Sequence, residues 1–202
     1  MENKNDLFAH KSKSWDMNSK RVQNAKGIAD LIVNNIKLNK SMELMDLGAG
    51  TGLLSYFVAP YISKIVAVDN SPSMLLEFEN KCDEFSCETE VIEKDLSTDT
   101  LDRKFDGVIS SMTIHHLEDI PLLLSKLYNM LNKDGFIALA DLDSEDGNFH
   151  SDNTGVFHYG FDRKKLALYA EEAGFKDVSF SLASTINKPH AQFTVFLMTA
   201  VK

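Results

Sequence analysis

The chain has 202 residues, of which 44% are hydrophobic and 25% charged, and its formal net charge at pH 7 is −9. This length and apolar content predict one globular domain with a full hydrophobic core rather than a disordered protein. The acidic excess disfavours DNA and RNA as partners, because their phosphate backbones repel a negative surface. No apolar run approaches the length of a membrane-spanning helix and no secretory leader pattern opens the sequence, so we expect no membrane association.

The cysteine content gives a hypothesis about the redox compartment. Cys82 and Cys87 lie in and just after a predicted helix, without the second pair or the neighbouring histidine that a metal site requires. We therefore expect two free structural thiols and a reducing, cytoplasmic location.

Apolar periodicity predicts alternating helices and strands along the chain. A first helix is predicted over residues 21–37, and a last helix near residues 162–173 ends at Gly174. The intervening strands are predicted near residues 43–47, 64–69, 89–94, 105–110 and 135–141, with helices near residues 53–60, 73–86 and 119–132. Two closing strands, near residues 176–184 and 191–200, form a hairpin. This order predicts an α/β fold with a parallel sheet and a ligand at the carboxyl ends of its strands.

Three alternating glycines stand between the first predicted strand and the helix that follows it. The sequence MELMDLGAGTGLLS, residues 42–55, contains Gly48, Gly50 and Gly52. Glycine adopts turn conformations that a Cβ forbids, and it lets a ligand lie against bare backbone. About 20 residues after the first glycine, Asp69 ends the second predicted strand, where a carboxylate can accept hydrogen bonds from both ribose hydroxyls. Together these features predict a nucleoside-binding site.

The spacing of the glycines separates two kinds of nucleoside ligand. A dinucleotide-binding turn has the pattern GxGxxG, but Leu53 stands where that pattern requires its third glycine. The preceding Asp46 adds a negative charge that would repel a pyrophosphate and would suit a cationic amino-acid tail. The turn therefore favours a cationic nucleoside over a nicotinamide or flavin dinucleotide.

The sequence DLGAGTG resembles motif I of the class I S-adenosylmethionine-dependent methyltransferases, and the resemblance extends through most of the chain. Residues 67–75 and 93–96 look like the second and third motifs of that family. Residues 105–119 resemble motif IV of its small-molecule branch (types 11 and 12), which includes quinone-ring methyltransferases. Residues 131–141 look like the following helix-turn-strand, with Asp134 where a glycine is usual, in a turn that tolerates Asp at positive φ.

The resemblance implies a fold, a domain organisation and a cofactor. The fold is the Rossmann-like class I methyltransferase fold, with a seven-stranded, mostly parallel sheet of order 3-2-1-4-5-7-6, one antiparallel strand near the C-terminus and helices on both faces. Residues 1–202 form a single domain, with residues 1–37 as a helical appendage or lid. The cofactor is S-adenosyl-L-methionine, which leaves as S-adenosyl-L-homocysteine.

The resemblance also implies which residues bind that cofactor. Asp69 would hold the ribose, while Asp95 and Leu96 would meet the amino group and the ring face of adenine. Ser110 and Ser111 would lie near the reacting centre. The full implied set is Asp46, Gly48, Ala49, Gly50, Asp69, Asn70, Met74, Asp95, Leu96, Ser110 and Ser111.

Several further side chains are candidates for the acceptor side of the reaction. His115 and His116 follow the fourth predicted strand, and a histidine there can accept a proton or orient an acceptor. The alternative is that one histidine caps the next helix and the other contacts solvent. Trp15 and the adjacent Asp16 either form part of a lid over the cofactor or pack the N-terminal segment onto the core. The long aromatic loop after the fifth strand predicts a pocket wall, with candidate substrate contacts His150, His158 and Tyr159.

An acidic cluster after the fifth strand resembles a calcium loop only in part. The acids Asp141, Asp143 and Glu145 have the spacing that opens an EF-hand loop, but Asp146 replaces its glycine and Asp152 its bidentate Glu. We expect no metal site here. The cluster is interpreted as a solvated rim, or as acids that face a cationic or hydroxylated acceptor.

The favoured function is methyl transfer by in-line displacement to a small-molecule acceptor, in which positioning supplies much of the acceleration. A methyltransferase of a protein or of tRNA is one alternative. A noncatalytic protein that binds S-adenosylmethionine is the other, and a dehydrogenase is disfavoured by Leu53.

Overall fold

The computed structural model describes residues 6–202, and these residues form seven strands in one sheet. The strands are β1 (Glu43–Leu47), β2 (Lys64–Asp69), β3 (Glu88–Glu93), β4 (Phe105–Ser111), β5 (Leu131–Leu142), β6 (Lys176–Asn187) and β7 (Gln192–Val201). Their order in the sheet is β3-β2-β1-β4-β5-β7-β6, which confirms the predicted α/β topology. The first five residues of the predicted N-terminal appendage lie outside the described range.

Five α-helices and several short 3-10 helices connect the strands in this described range. The α-helices are α1 (Ser19–Asn35), α2 (Leu53–Val58), α3 (Pro72–Glu79), α4 (Ile120–Met130) and α5 (Arg163–Glu172). The 3-10 helices are Ser12–Met17, Ala59–Tyr61, Cys82–Glu84 and Ile114–His116. The helix predicted near residues 53–60 ends early as an α-helix, because Pro60 has no backbone N–H to continue the i→i−4 ladder. Within residues 6–202, none of the helices combines the length and the apolar character needed to span a bilayer.

Residue contacts divide the chain into two compact units, the first of which ends at Asp95. In this unit β1 pairs in parallel with β2, and β2 pairs in parallel with β3. Residues 44–47 and 65–68 are buried without interruption, as expected for central strands that are covered on both faces. Helix α1 begins at an Asn18 cap and buries one face through Ala25, Ile28, Ala29 and Ile32.

The second unit runs from Leu96 to Lys202 and contains β4 to β7. Strands β4 and β5 are parallel, while β7 runs antiparallel to both β5 and β6. The predicted closing hairpin and the single antiparallel strand are therefore confirmed. Strand β5 begins at Leu131, earlier than predicted, because an irregular segment precedes its regular pairing with β4. In that segment Asp134 has a φ of 60°, as predicted for an Asp in the position of a glycine.

Candidate active site

The glycine turn, residues 48–52, follows β1 directly and is held against the end of β2. The backbone N–H groups of Gly48 and Ala49 both donate to the carbonyl oxygen of Val68, at 2.8 and 3.2 Å. Gly48, Gly50 and Gly52 have φ values of 66°, 55° and 85°, which side chains rarely adopt. The alternating glycines are thus required by the backbone conformation of the turn.

Two of these glycines serve different purposes. A Cβ added at Gly50 would meet no heavy atom of residues 6–202 within 4 Å, so this residue presents bare backbone to open space in the described part of the chain. A Cβ at Gly52 would lie 2.6 Å from the ring of Phe78 on α3, so Gly52 permits close packing of the core. The turn therefore offers a surface for a ligand at Gly50 and is fastened to the core at Gly52.

The carboxylate of Asp69 is fixed beside the open face of the turn. Its Oδ2 accepts a hydrogen bond from the Gly50 N–H at 2.8 Å, and its Oδ1 accepts one from the Ser71 N–H at 2.8 Å. Burial raises the pKa of Asp69 above its ordinary value, although these N–H groups act in the opposite direction. Each carboxylate oxygen can accept a further hydrogen bond, so Asp69 remains able to receive the two hydroxyls of a ribose.

Asp46 at the end of β1 is buried and lies close to the charge of Asp69. The Ser55 hydroxyl donates to its Oδ2 at 2.6 Å. Burial, reinforced by the neighbouring Asp69 carboxylate, raises the pKa of Asp46 to about 7. A cation bound nearby would favour the ionised form of this acid. The open backbone at Gly50 and the acids Asp46 and Asp69 thus fit the cationic nucleoside that the sequence predicts.

The segment before α1 is bonded to the glycine turn through Asp16. Its Oδ1 accepts a hydrogen bond from the buried Thr51 hydroxyl at 2.6 Å, and its other oxygen forms an ion pair with Lys81. Trp15 packs edge-on against Phe8, with ring centroids 6.0 Å apart, and the Arg21 guanidinium lies 3.9 Å above the indole centroid. Asp16 therefore contacts the turn, and Trp15 packs within the N-terminal segment.

A second acid of this segment binds the start of α3. Asp6 accepts hydrogen bonds from the Ser71 hydroxyl at 2.7 Å and from the Ser73 N–H at 3.0 Å. Ser71 is also the N-cap of α3 and accepts from the Met74 N–H, and Pro72 occupies the first turn, as predicted. The start of α3, which follows Asp69 in the chain, is thus hydrogen-bonded to the N-terminal segment.

The remaining predicted cofactor residues differ in exposure. Met74 is buried, Asn70 is exposed and Asp95 is half-buried at the end of the first unit. In the second unit, Leu96 is buried at the wall of a cavity of about 190 Å³. Ser110 is buried in β4 and Ser111, at its end, is half-buried.

A histidine cluster, defined by His115, His116 and His150 with Asp141, occupies the second unit. His115 lies in the 3-10 helix after β4 and is 1% exposed, and Asp141 at the end of β5 is 0% exposed. Nδ1 of His115 lies 2.7 Å from Oδ1 of Asp141, which also accepts from the Leu142 N–H at 2.7 Å. The backbone N–H of His115 donates to Oδ2 of Asp141, at 3.2 Å. Two backbone N–H groups and the imidazole of His115 thus contact the Asp141 side chain.

Two imidazole nitrogens of the cluster have no hydrogen-bond partner within the described part of the chain. They are Nε2 of His115 and Nε2 of His150, and both atoms are buried. The rings of these histidines have centroids 5.0 Å apart, and the His116 ring lies 4.2 Å from that of His115. Burial, together with the nearby His115, lowers the pKa of His150 to about 4, so this ring is neutral at physiological pH.

The loop of residues 143–161 covers the cluster and is bonded to it. The His115 carbonyl oxygen accepts hydrogen bonds from the Phe157 and His158 N–H groups, at 3.0 and 3.2 Å. Nδ1 of His116 lies 2.7 Å from the Gly155 carbonyl oxygen. Nε2 of His158 lies 2.9 Å from the Leu117 carbonyl oxygen. His116 and His158 therefore anchor this loop, while Tyr159 is 47% exposed.

The acids after β5 differ from the predicted solvated rim. Asp141 is fully buried near the end of β5, where it contacts His115. Asp143 forms a bidentate pair with Arg163, at 2.6 and 2.7 Å, and accepts from the Thr194 hydroxyl. Among residues 6–202, no group of three or more His, Cys, Asp or Glu side chains is arranged to hold a metal ion.

The alternative in which a histidine caps the next helix is wrong, since Asp119 caps α4.

Two features of this region were missing from the sequence analysis. One is the pairing of His115 with Asp141, which the parallel arrangement could have indicated, because neighbouring strands β4 and β5 bring their carboxyl ends to one edge. The other is Met112, whose φ of 58° is rare for a residue with a side chain. It redirects the chain after β4 into the 3-10 helix that carries His115, and no pattern in the sequence indicates it.

Comparison with known proteins agrees with this geometry. The family model described as a methyltransferase domain matches residues 20–180. An uncharacterized methyltransferase of Schizosaccharomyces pombe is 32% identical over 179 residues, which cover 81% of this chain and 62% of that protein. The chain spans less than two thirds of the length of the first curated relatives that it matches, at 62%, 54% and 47%.

Solved structures share the fold at low sequence identity. One is a Haloferax volcanii protein that was solved in complex with the Trm112 methyltransferase activator. The superposition covers 100% of this chain and 98% of the Haloferax chain, with a TM-score of 0.76 and 16% identity. Magnesium protoporphyrin IX methyltransferase from Synechocystis, solved with bound S-adenosylmethionine, covers 97% of this chain and 84% of its own, with a TM-score of 0.66 and 17% identity. From the match to the family model over residues 20–180, the chain belongs to the class I S-adenosylmethionine-dependent methyltransferase family.

Proposed function

We propose that the protein transfers a methyl group from S-adenosylmethionine to a small-molecule acceptor, with residues 1–202 acting as one methyltransferase domain. The observation that carries this proposal is the glycine turn, where the bare backbone of Gly50 faces open space beside the fixed carboxylate of Asp69. Membership of the methyltransferase family supports the same activity.

The proposed cofactor contacts follow from the chemistry of each group. Asp69 accepts the ribose hydroxyls, Gly48 and Gly50 line the methionine end with Ala49, and Asp46 provides a negative charge for the amino-acid tail. When bound, S-adenosylmethionine supplies an electrophilic methyl group on a positively charged sulfur. Further proposed contacts are Asn70, Met74, Asp95, Leu96, Ser110 and Ser111.

The N-terminal segment is proposed to act as a lid on the cofactor. The hydrogen bond between Asp16 and Thr51 supports this role, because Thr51 belongs to the glycine turn itself. The ion pair of Asp16 with Lys81 gives the segment a second attachment. Excluding water in this way strengthens the electrostatic contacts of a bound cation.

A small acceptor is favoured by the burial of the histidine cluster. The loop of residues 143–161 is hydrogen-bonded to the backbone of His115, so a reacting group must be small enough to enter beneath it. The net charge of −9 also disfavours a nucleic acid acceptor. The free thiols of Cys82 and Cys87 are consistent with the reducing cytoplasm that we propose as the location.

Tritium transfer from methyl-labelled S-adenosylmethionine tests this function. The protein is incubated with three separated fractions of an extract from the cells that produce it: small molecules, proteins and RNA. We expect label in the small-molecule fraction alone. Label in protein or RNA would contradict the acceptor class, and binding of the labelled cofactor without transfer to any fraction would contradict the activity.

A further inference from the structure

The hydrogen bonding of His115 fixes which of its two nitrogens can accept a proton. Asp141 is a carboxylate with N–H donors on both oxygens, so it can only accept from Nδ1 of His115 at 2.7 Å. Nδ1 therefore carries a hydrogen, and in the neutral ring Nε2 has the free lone pair.

That lone pair is buried and has no partner among residues 6–202. A buried polar atom without a hydrogen bond destabilises a protein, so such atoms are rare unless a ligand completes them. Here the unpartnered atom belongs to a side chain that is 1% exposed and fixed in orientation by a carboxylate. This is the arrangement of a general base and its orienting acid.

We infer that His115 is the general base of the transfer and that the acceptor is a neutral molecule whose nucleophilic atom is a hydroxyl oxygen. This inference rests on the methyltransferase function proposed above. The acceptor oxygen bonds to the methyl carbon as the carbon–sulfur bond breaks, and that bond's electron pair stays on sulfur. The hydroxyl proton passes to Nε2 of His115, and Asp141 is a positioning residue that stabilises the resulting imidazolium.

The surroundings of His115 select a neutral hydroxyl over other nucleophiles. A carboxylate acceptor is already ionised, needs no base and would be repelled by the buried negative charge of Asp141. An ammonium group would have to enter a dry site in which Asp141 already accepts three N–H groups. The neutral His150, whose own Nε2 is unpartnered, can exchange a hydrogen bond with a second polar group of the acceptor.

The test compares three variants on the small-molecule extract with methyl-labelled S-adenosylmethionine. His115→Asn keeps a donor in the place of Nδ1 but has no basic nitrogen, and Asp141→Asn allows the imidazole to reverse its tautomer. His190→Asn is the matched control, because His190 is exposed in the turn between β6 and β7, where its Nε2 lies 3.0 Å from the Asn148 carbonyl oxygen and its ring lies 6.0 Å from that of Phe193. Calorimetry with S-adenosylmethionine is run on every variant.

We expect His115→Asn and Asp141→Asn to lower the transfer rate at least about 100-fold, as is typical for loss of a general base. Their affinity for S-adenosylmethionine should stay within about twofold of the wild type, and His190→Asn should retain the wild-type rate. The wild-type kcat/KM should fall about tenfold per pH unit on the acid side of its profile, because protonated His115 cannot act as a base. This profile tests the inference even if a variant fails to fold.

The labelled product identifies the acceptor atom. A methyl ether, which resists alkali and is not retained by a cation exchanger, is the expected product. An alkali-labile methyl ester, a methylated amine, a pH-independent wild-type profile or a wild-type rate in His115→Asn would overturn the inference while leaving the proposed function intact. Cofactor binding without any labelled product would instead overturn the proposed function, and the inference with it.

Discussion

The glycine turn and the histidine cluster are built on opposite principles. In the turn, the polar atoms are mostly backbone groups with partners inside the protein, such as the Gly50 N–H on Asp69 and the Gly48 N–H on Val68. In the cluster, they are side-chain atoms, and Nε2 of His115 and of His150 are buried and have no hydrogen-bond partner among residues 6–202. The backbone of the turn is therefore hydrogen-bonded without a ligand, whereas the cluster contains two buried nitrogens that the proposed acceptor would complete. Substitutions in the two regions should consequently change different quantities.

The largest effect is expected at Asp69. Asp69→Ala removes the proposed acceptor of both ribose hydroxyls and the partner of the Gly50 and Ser71 N–H groups. We expect S-adenosylmethionine affinity to fall about 100-fold, because hydrogen bonds to a charged group contribute about 1.5–3 kcal/mol each. Calorimetry measures this change. Glu93→Ala is the control, since Glu93 is an exposed acid in β3 that lies opposite Asp69 of β2 in the strand register. Unchanged affinity in Asp69→Ala would remove this residue from the site.

A matched pair of glycine substitutions separates binding from packing within the turn. Both residues have positive φ, so either alanine destabilises the fold by about 1–2 kcal/mol. Gly52→Ala should lose a further 1–3 kcal/mol or so, because its Cβ would overlap the Phe78 ring. Gly50→Ala should instead weaken the cofactor about 30-fold, since its methyl group would fill the open face. Chemical denaturation and calorimetry on both variants distinguish the two effects, and equal losses of affinity would contradict the distinction.

The pH dependence of stability should have opposite signs in the two regions. The pKa of Asp46 is raised to about 7 in the folded state from 3.8, so the folded state binds more protons between these values and stability falls as pH rises through this window. The pKa of His150 is lowered to about 4 from 6.5, so stability is instead lost as pH falls from about 6.5 to about 4.

Two variants isolate these contributions. Asp46→Asn should stabilise the free protein by about 1–3 kcal/mol at pH 8, where the buried charge is otherwise present, and should weaken binding of the cationic cofactor. His150→Phe should stabilise it by about 1 kcal/mol, because the unpartnered Nε2 is replaced by an apolar edge, and should leave cofactor affinity unchanged. Denaturation curves from pH 4 to pH 8 would refute this account if both variants changed the slope of stability against pH in the same direction, since loss of Asp46 should make that slope more positive and loss of His150 should make it less positive.

The smallest effect is expected at the proposed lid. Asp16→Asn weakens the bond to Thr51 and removes the charge that pairs with Lys81, so S-adenosylmethionine should dissociate about threefold faster. Asp30→Asn is the control, because Asp30 forms an exposed ion pair with Lys26 on α1. Stopped-flow dissociation rates that agree between the two variants would show that Asp16 does not hold the cofactor.

The same contrast explains what could be predicted from the sequence. The turn from Gly48 to Gly52 was identifiable because its chemistry lies in five consecutive residues, and the helix start at Ser71 is equally local. The histidine cluster was found only in part, because the contact between His115 and Asp141 joins residues 26 positions apart. The anchor from His116 to Gly155 spans 39 positions and depends on the path of an irregular loop.

A titration of the purified protein with two sulfur-containing nucleosides and one dinucleotide tests the central claim most directly. Isothermal calorimetry is performed with S-adenosylmethionine, S-adenosylhomocysteine and NADH under identical conditions. We predict saturable binding of the first two compounds and none of NADH, because Leu53 and Asp46 make the turn unsuitable for a pyrophosphate. Binding of NADH together with no heat from S-adenosylmethionine or its demethylated product would contradict the account.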